Sequence, residues 1–327
     1  MKVIIPVAGK GTRMRPFTHS QPKALLPVAG KPVIDHILEK VIPLKPEEIV
    51  FVTGHLKHQF EAYIKKTYPK LKCSFAQQQT QLGTADAIWA AKKALNGDVL
   101  IIFSDTIFDF PLTAVKNRKD GGVFWAVRVP DPSRFGVLVA DKDGYLTSIV
   151  EKPKTFITDL VNIGLYYVTD GKLLAKGIQE AYRLAKKNGG EVWLTAAFQY
   201  MVEHGAKIKI APVTGWFDTG TTEQTLQSNR ELLDKYPGAA PKMKGVKIIP
   251  PVAIHPSAKL SDCAIGPHVT IAADVTIKGS SITDAIVDEH STILDSKLTH
   301  SLVGQHVEVR EIEGSAVLGD HSQVRKG

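Results

Sequence analysis

The sequence predicts an α/β fold with a mixed, mainly parallel sheet, followed by a short parallel β-helix. Strand-like and helix-like segments alternate over about the first hundred residues, which is typical of parallel sheets covered by helices. Beyond residue 250, aliphatic residues recur at nearly regular spacing with small or polar residues between them, which indicates a β-helix. The length of 327 residues is sufficient for two domains.

The elements of the first part follow from hydrophobic periodicity. Strands are expected at residues 3–7, 49–53, 72–76 and 98–103, and helices at 32–42, 57–66 and 85–95. The middle of the chain changes to strands joined by short turns, at 122–129, 136–140, 145–151 and 161–168. Helices at 172–187 and 194–204, a strand at 207–211 and a helix from about 222 to 233 complete the domain. The middle strands predict a partly antiparallel insertion in the sheet.

The C-terminal repeat is carried by Ile254, Leu260, Ile265, Ile271 and Ile277, with gaps of six, five, six and six. In a β-helix each such residue points inward and stacks on the coil below, and three or four coils fit into residues 251–315. A segment rich in Pro and Gly precedes the repeat. We therefore expect a domain at 1–236, a linker at 237–250 and a β-helix at 251–327.

Composition excludes several classes of protein. The net charge is +8, but the lysines are scattered and form no dense run with aromatic residues, so nucleic acid is not an expected partner. No apolar stretch approaches the roughly 18 residues of a membrane span, and a cytoplasmic location is expected. Cys73 and Cys263 have no Cys or His neighbours at metal-ligand spacing, so they are interpreted as reduced structural thiols.

A glycine-containing loop follows the first strand. Gly9 and Gly11 are placed where backbone N–H groups wrap around a phosphate, although two glycines alone also fit a tight turn. The loop is neither a dinucleotide fingerprint nor a Walker loop, because no third glycine and no closing Gly-Lys-Ser/Thr are present. Arg13 and Lys23 lie on the same connection and add the fixed cations that a triphosphate requires. The combination favours phosphate binding.

The segment Gly9-Lys-Gly-Thr-Arg-Met-Arg-Pro-Phe-Thr, followed by Pro22-Lys-Ala-Leu-Leu-Pro-Val-Ala-Gly-Lys-Pro, resembles the signature of the sugar nucleotidyltransferases. The resemblance is to glucose-1-phosphate thymidylyltransferases and their relatives, and it covers the whole chain. It implies a Rossmann-like nucleotidyltransferase domain and a left-handed β-helix. It also implies that Arg13 stabilises the leaving pyrophosphate and that Lys23 holds the phosphates of both substrates. The remaining nucleotide-binding residues of this segment would be Ala8, Gly9, Gly11 and Thr12.

The resemblance assigns the base contact to Gln78, with Gly83 and Thr84 five and six residues further on. A glutamine amide both donates and accepts, which suits the paired donor and acceptor of uracil or thymine. The alternative is a surface glutamine, since Gln77, Gln79 and Gln81 are close by. Thr84 has a structural alternative as the N-cap of the following helix.

Two aspartates are candidate ligands of magnesium. Asp105 follows a buried strand, where α/β sheets bind ligands, and Asp218 lies in the segment Trp216-Phe-Asp-Thr-Gly. Two carboxylates suit Mg²⁺, which prefers hard oxygen ligands and retains substrate phosphates. Each aspartate alone is also compatible with a turn or capping role. Family members usually have Gly before the first metal aspartate, where this chain has Ser104.

The sugar phosphate is assigned by resemblance to four residues. Gly136 would present its backbone to the sugar, Glu151 and Asn162 would bond hydroxyl groups, and Lys152 would grip the phosphate. An exposed ion pair at a strand end is the structural alternative for Glu151 and Lys152. Tyr166 is interpreted as a packing residue.

The expected function is transfer of a nucleoside monophosphate from a nucleoside triphosphate to a sugar-1-phosphate, with release of pyrophosphate. Thymidylyl transfer from dTTP to glucose-1-phosphate is the first choice, and uridylyl transfer from UTP is close behind. A further alternative is a bifunctional enzyme with acyltransferase activity in the β-helix, with five histidines as candidate bases: His268, His290, His300, His306 and His321. The last alternative is a non-catalytic regulatory subunit built on the same fold, although Arg13, Lys23, Asp105, Lys152 and Asp218 are all present and favour activity. In an active enzyme the β-helix would serve regulation or the assembly of a homo-oligomer.

Overall fold

The computed structural model describes residues 1–115, 118, 120–237, 241 and 243–327. The α-helices of these residues are α1 (Val33–Val41), α2 (Lys57–Thr67), α3 (Thr84–Ala90), α4 (Gly171–Asn188), α5 (Leu194–Glu203) and α6 (Thr222–Lys235). Each coincides with a predicted helix to within a few residues, except that α3 ends early and a 3₁₀ turn, Lys92–Ala94, follows it. No helix of the described part of the chain is both long and apolar enough to cross a membrane.

The chain divides into two compact units. The first contains Met1–Gly9 and Ile37–Trp216, and the second contains Lys10–His36 and Phe217–Gly327. This division differs from the predicted domains 1–236 and 251–327, which stay a prediction, because an N-terminal segment groups with the C-terminal part. Residues 238–240 and 242 of the predicted linker lie outside the described residues.

The first unit is built on a nine-stranded mixed sheet. Across the sheet, seven strands follow one another in the order Leu146–Glu151, Gly136–Ala140, Leu160–Val168, Val99–Ile102, Lys2–Pro6, Glu48–Thr53 and Cys73–Gln77. Gly122–Arg128 also pairs with Leu160–Val168, and Ile208–Pro212 pairs parallel to Gly122–Arg128. The predicted antiparallel insertion is confirmed, because the middle strands pair antiparallel with one another and with Val99–Ile102. The short strand Thr106–Phe108 also belongs to the first unit, and the short strand Trp216–Asp218 contains the boundary between the units.

Four strands of this sheet are parallel neighbours, and their direction places the candidate residues. Lys2–Pro6 pairs parallel with both Glu48–Thr53 and Val99–Ile102, and Glu48–Thr53 pairs parallel with Cys73–Gln77. Their carboxyl ends therefore lie along one edge of the sheet. Ala8, Gln78 and Asp105 follow three of these strand ends. The three inner strands are almost entirely buried, as in Val99–Ile102, where every residue is buried, whereas the edge strand Cys73–Gln77 is partly exposed.

In the second unit, residues beyond 245 form the predicted parallel β-helix. One stack contains five parallel strands: Lys259–Ser261, Thr276–Lys278, Thr292–Leu294, Glu308–Arg310 and Gln323–Arg325. The other two sides are formed by Val246–Ile248, Val252–Ile254, Cys263–Ile265, Val269–Ile271, Ser281–Val287, Lys297–Val303, Glu313–Gly314 and Val317–Leu318. The aliphatic side chains stack inward as predicted, and Ile277 lies beside Ile293 and Ile293 beside Val309, all fully buried.

Residues 251–315 contain four strands of this stack, within the three or four coils expected there. Strands of the fold also occur outside that range, from Val246–Ile248, inside the predicted linker, to Gln323–Arg325. The terminal coils escaped the repeat pattern because their strands carry few buried aliphatic residues. Val246–Ile248 is at most half-buried, and Glu313–Gly314 has no aliphatic side chain.

The N-terminal segment of the second unit packs against α6 and the β-helix. A buried apolar cluster contains Met14, Phe17, Leu26, Leu226, Ile286 and Leu302. The first three residues belong to the N-terminal segment, Leu226 to α6, and the last two to the β-helix. Full burial of a side chain of this size stabilises the folded protein by about 1.5–3 kcal/mol relative to leaving it exposed. The β-helix therefore supports the segment that carries Arg13 and Lys23.

Candidate functional site

The candidate residues fall into both units, and ten of them belong to the first. Ala8 follows the first strand, and its carbonyl oxygen accepts hydrogen bonds from Gln81 Nε2 at 2.6 Å and from the backbone N–H of His55 at 3.3 Å. Gly54 packs so tightly on Ala8 that a Cβ would meet the Ala8 methyl at 2.9 Å. By contrast, nothing lies within 4 Å of a Cβ built on Gly9. The loop is thus anchored at Ala8 and open at Gly9, as backbone binding of a phosphate requires.

Gln78 differs from its neighbouring glutamines by its burial. Only 8% of Gln78 is exposed, whereas Gln77, Gln79 and Gln81 are exposed. Its Nε2 donates to Asp86 Oδ2 at 2.6 Å and to the Gly83 carbonyl oxygen at 3.4 Å. This arrangement differs from the expected amide that both donates and accepts toward a base. Both N–H groups of the amide donate to protein acceptors, so the side-chain oxygen Oε1 is the atom left to contact a ligand.

Gly83 lies where a side chain would not fit. Its φ is +142°, and a Cβ would lie 2.5–2.9 Å from the backbone of Val192. Thr84 does not cap α3, whose N-cap is Gly83. Instead Thr84 Oγ1 accepts the backbone N–H of Leu194, the first residue of α5, at 2.9 Å. The turn after Gln78 is therefore tied to the start of α5.

The predicted sugar residues Gly136, Glu151 and Asn162 converge. Asn162 Nδ2 donates to the Gly136 carbonyl oxygen at 2.8 Å. A Cβ on Gly136 would lie 2.1 Å from Asn162 Nδ2 and 3.3 Å from Glu151 Oε2. Glu151 Oε2 accepts a hydrogen bond from Thr195 Oγ1 at 3.1 Å. Burial raises the pKa of Glu151, and the Thr195 bond opposes that rise. The three residues form a small polar cradle around a glycine.

Lys152 lies beside this cradle in an unusual backbone conformation. Its φ is +43°, in the left-handed region that non-glycine residues seldom adopt. Its backbone N–H donates to the Phe135 carbonyl oxygen at 2.9 Å, and its Nζ lies 4.3 Å from the centre of the Trp193 ring. A cation over an indole face is attracted by the ring quadrupole. Trp193 therefore directs the ammonium group of Lys152.

Asp105 is electrostatically close to the same cradle. It is half-buried and follows the strand Val99–Ile102. Burial raises the pKa of Tyr166 strongly, and the charges of Glu151 and Asp105 raise it further. The Tyr166 hydroxyl donates to Asn162 Oδ1, so Tyr166 is more than the packing residue expected from the sequence. The first unit thus brings Asp105, Glu151 and Asn162 around Tyr166.

The second unit contains Gly11, Thr12, Arg13, Lys23 and Asp218. Gly11 has φ +59°, and its carbonyl oxygen accepts the backbone N–H of Met14 at 2.7 Å and Thr18 Oγ1 at 2.8 Å. These bonds close the 3₁₀ turn Thr12–Met14, in which Met14 is buried and Arg13 is exposed. Lys23 is half-buried on a second 3₁₀ turn, Lys23–Leu25.

Arg13 and Asp218 both lie beside Gly220. A Cβ built on Gly220 would lie 2.8 Å from Asp218 Oδ1 and 3.5 Å from Arg13 Nη2. The Gly220 backbone N–H donates to Asp218 Oδ1 at 2.7 Å, and Ser228 Oγ of α6 donates to the Asp218 carbonyl oxygen at 2.7 Å. These bonds orient the aspartate at the start of α6. The second unit therefore brings together a cation and a carboxylate from opposite parts of the chain.

Each of the two aspartates, considered by itself, is a suitable ligand for Mg²⁺ in chemical terms. Asp105 and Asp218 are half-buried carboxylates, and carboxylate oxygens are ligands of the hard kind that Mg²⁺ prefers. Among the described residues, no group of three or more His, Cys, Asp or Glu side chains is arranged to hold a metal ion. A site with one or two protein carboxylates, completed by substrate phosphate and water, is the ordinary form for this ion.

Three residues of the site could not be found from the sequence. Asp86, Trp193 and Thr195 contact Gln78, Lys152 and Glu151, respectively. None of the three lies in the sequence motifs that identified Gln78, Lys152 and Glu151 as candidates. Only the proximity of Asp86 to Gly83 along the chain was a signal, and it was a weak one.

The five candidate histidines of the β-helix all have positive φ, between +49° and +61°. His290, His306 and His321 stack on one another with ring centres 4.9 and 5.0 Å apart. His300 bonds Asp284 and Glu223, and His268 bonds Asp234. Four of them lie at turns between strands and His300 lies within Lys297–Val303, and these positions and contacts agree with a structural role.

Comparison with known proteins extends this picture. A model of the nucleotidyl transferase family matches residues 2–235. The bifunctional protein GlmU of Methanococcus maripaludis is 34% identical over 237 residues, which are 72% of this chain and 55% of GlmU. The chain thus spans about half the length of this relative. A glucose-1-phosphate thymidylyltransferase of Streptomyces antibioticus is 28% identical over 358 aligned positions, which cover 99% of both chains.

A solved structure shares the fold of most of the chain. A UDP-glucose pyrophosphorylase complexed with UDP-glucose superimposes with a TM-score of 0.62 at 24% identity. The match covers 72% of this chain and 98% of the pyrophosphorylase. At this level of identity the likeness shows the fold alone.

Proposed function

The chain belongs to the nucleotidyl transferase family, and from this premise we propose that it joins a nucleoside monophosphate to a sugar-1-phosphate and releases pyrophosphate. We propose dTTP as the first nucleotide and glucose-1-phosphate as the first sugar phosphate. The strongest support is the likeness to the Streptomyces thymidylyltransferase, which extends over the whole of both chains, β-helix included.

The polar cradle supports the sugar half of the proposal. Glu151 can accept hydroxyl hydrogen bonds as a carboxylate, and Asn162 retains one N–H beyond its bond to Gly136. Glycine at position 136 lets Asn162 Nδ2 and Glu151 Oε2 approach the backbone closely, since a Cβ would lie 2.1 Å from the first and 3.3 Å from the second. Such a cradle suits a ring of hydroxyl groups. Lys152, directed by Trp193, would hold the phosphate of the sugar.

The proposed chemistry needs no general base, since a phosphate oxygen of the sugar phosphate is already anionic. That oxygen attacks the α-phosphorus in line, the new P–O bond forms, and the bond to pyrophosphate breaks. Catalysis is then alignment and neutralisation of charge. Arg13 would stabilise the leaving pyrophosphate, and Lys23 would bind phosphates of both substrates. Backbone groups at Ala8, Gly9, Gly11 and Thr12 would cradle the triphosphate.

Asp105 and Asp218 would hold a magnesium ion in this reaction. Bound there, Mg²⁺ would supply positive charge next to the α-phosphate. The orientation of Asp218 by Gly220 and Ser228 is consistent with that role.

Uridylyl transfer is the second candidate. One amide oxygen, that of Gln78, meets the same edge of uracil and thymine, which differ only in a methyl group. This contact therefore does not distinguish UTP from dTTP. Acyltransferase activity in the β-helix is less well supported, because three of its candidate histidines stack on one another and the other two bond carboxylates. A regulatory subunit would be expected to lack Arg13, Lys23 or the two aspartates, all of which are present. The cytoplasmic location and assembly through the β-helix stay predictions from the sequence.

A matrix assay tests the proposal. Five nucleoside triphosphates (dTTP, UTP, CTP, ATP and GTP) are each combined with glucose-1-phosphate, N-acetylglucosamine-1-phosphate and mannose-1-phosphate in the presence of Mg²⁺. Release of pyrophosphate is then followed. We expect the highest kcat/KM for dTTP or UTP with glucose-1-phosphate. Absence of pyrophosphate release in every combination would overturn the proposed reaction, and release of CoA from acetyl-CoA would support the acyltransferase alternative.

A further inference from the structure

The turn that follows the strand Cys73–Gln77 holds the amide of Gln78 in one orientation. Gln78 Nε2 lies 2.6 Å from Asp86 Oδ2 and 3.4 Å from the Gly83 carbonyl oxygen. A carboxylate and a backbone carbonyl are acceptors only, so the amide nitrogen rather than the amide oxygen must face them. The orientation therefore follows from the chemistry of the two partners. Reversing the amide would set Oε1 against two other oxygens in a buried position.

Asp86 is itself held in place. It lies in the first turn of α3, and its Oδ1 accepts a hydrogen bond from the hydroxyl of Tyr182 on α4. Asp86 Oδ2, the atom that meets Gln78, also lies 3.5 Å from the backbone N of Leu82. The Tyr182 ring packs edge-on against Trp89, with centroids 6.3 Å apart. Two helices thus fix the carboxylate that orients Gln78.

The backbone around Gln78 leaves little freedom for adjustment. The Gly83 carbonyl oxygen accepts Gln78 Nε2 and also the backbone N–H of Ala87 at 3.2 Å. Contact with Val192 blocks movement of Gly83 on its other side, where a Cβ would lie 2.5 Å from the Val192 carbonyl oxygen. A buried, clamped amide of this kind offers a ligand an acceptor and no donor. A glutamine without these partners could rotate its amide group and so bond either a donor or an acceptor atom of a base.

We propose that Asp86, held by Tyr182, is a positioning residue that fixes Gln78 as an acceptor and thereby selects uracil or thymine over cytosine. The inference rests on the proposed function, in which Gln78 meets the base. Uracil and thymine carry an N–H at ring position 3, which donates to Gln78 Oε1. Cytosine carries a lone pair at that position, which would oppose Oε1 and leave two acceptors facing each other. A site built to bond an N–H rejects an analogue that lacks it, because buried polar groups are left unpaired.

The decisive variant is Asp86→Asn, which keeps the shape of the side chain. An asparagine can direct its own Nδ2 toward Gln78 Oε1, so Gln78 becomes able to turn its amide and donate to cytosine. We expect wild-type protein to prefer UTP over CTP by about 10-fold or more, and Asp86→Asn to reduce that ratio by about 10-fold. Tyr182→Phe removes only the hydroxyl that holds Asp86, and a smaller reduction in the same direction is expected.

Two readouts are used. The first is kcat/KM for UTP and CTP with glucose-1-phosphate, from pyrophosphate release. The second is the Kd of each nucleotide without sugar phosphate, from titration calorimetry. The matched control is Asp98→Asn, because Asp98 accepts a hydrogen bond from the Tyr167 hydroxyl at 2.9 Å, a similar Asp–Tyr pair that makes no contact with Gln78. A merely structural effect would lower affinity for both nucleotides and leave their ratio unchanged, as in the control.

An unchanged ratio in both Asp86→Asn and Tyr182→Phe would overturn the inference, and so would a wild-type preference for CTP. Lack of turnover with every substrate pair would contradict the proposed reaction alone. In that case the calorimetric ratio still decides: a UTP preference that falls in Asp86→Asn supports the inference, and an absent preference refutes it. Thermal unfolding of each variant shows whether it folds, and Tyr182→Phe carries the test if Asp86→Asn does not.

Discussion

Asn229 of α6, which is fully buried, accepts a hydrogen bond from the backbone N–H of Ala29 through its Oδ1 at 2.9 Å. The same oxygen accepts a hydrogen bond from Thr270 Oγ1 at 2.7 Å, and Asn229 Nδ2 donates to the His268 carbonyl oxygen at 3.2 Å. One side chain therefore joins the N-terminal segment, α6 and the β-helix. This junction lies within the unit that carries Arg13, Lys23 and Asp218.

Removal of this junction should destabilise the second unit. Asn229→Ala removes a buried hydrogen-bonding side chain. It leaves three groups without their partner: the Ala29 N–H, the Thr270 hydroxyl and the His268 carbonyl. Each unsatisfied buried group costs about 1–3 kcal/mol, so the free energy of unfolding should fall by at least about 2 kcal/mol. Denaturant unfolding measures the change. Glu231→Ala on the exposed side of α6 is the control, and equal stability of the two variants would disprove the role of Asn229.

Arg13→Ala should retain the fold and lose turnover. Arg13 is exposed, so its removal leaves no cavity, but a preorganised cation next to the transition-state charge would be absent. We expect kcat to fall by about 10²–10³-fold. Arg15→Ala, an exposed arginine two residues away, is the matched control and should be nearly as active as wild type. Turnover of Arg13→Ala within a few-fold of the control would exclude the assigned role.

Gly136→Ala should weaken the binding of the sugar phosphate. The new methyl group would lie 2.1 Å from Asn162 Nδ2, and Asn162 would have to move out of the cradle. Since displacement of a binding group by about 1 Å costs up to about 10²-fold, KM for the sugar phosphate should rise by 10-fold or more. Gly97→Ala serves as control, because nothing lies within 4 Å of its Cβ. A KM unaffected by Gly136→Ala would argue against the cradle as the sugar site.

Asp288 should make stability depend on pH. It is 4% exposed, its Oδ2 has no hydrogen-bond partner among the described residues, and burial raises its pKa to about 7. Between about pH 4 and pH 7 the folded protein therefore holds a proton on Asp288 that the unfolded chain, in which this pKa is near 3.9, has released. The stability associated with this proton is present below about pH 4 and is lost as pH rises to about 7, a change of roughly 4 kcal/mol.

Asp288→Asn removes that titration. Between pH 5 and pH 8 the free energy of unfolding of wild type should fall relative to that of Asp288→Asn by about 2 kcal/mol or more. Denaturant unfolding at the two pH values gives the difference for each protein. In Asp143→Asn, at an exposed turn, the pH dependence should match wild type. The same pH dependence in all three proteins would rule out a buried, protonated carboxyl at Asp288.

The sequence predicted the elements well because their signals are local. The buried strand Val99–Ile102 and the inward positions Ile265 and Ile277 were visible as runs or repeats within a few residues. The grouping of residues 10–36 with the β-helix was not predictable in the same way. Its contacts join residues such as Ala29 and Asn229, 200 positions apart, and no period or motif records such a pairing.

The same limit applies inside the candidate site. Glu151 was found from its resemblance to a motif, but Thr195, 44 positions away, has no feature of its own. Asp86 and Tyr182 are 96 positions apart and become partners only because α3 packs near α4. Gln78 was chosen by spacing among similar neighbours, and its burial now distinguishes it. The residues proposed to contact a ligand lie in recognisable motifs. The residues that hold them in place are selected by packing and have no motif of their own.

The second unit consists of two stretches of chain separated by the whole of residues 37–216. On a ribosome the earlier stretch, which carries Arg13, emerges long before the residues it packs against are synthesised. Contacts between such distant stretches form slowly, because a long loop must be closed before they are made. Arg13, which we propose to bind phosphate, therefore acquires its supporting surroundings only after translation has reached the final coils. A nascent chain released before that point would possess the parallel sheet of the first unit but lack the supported loop.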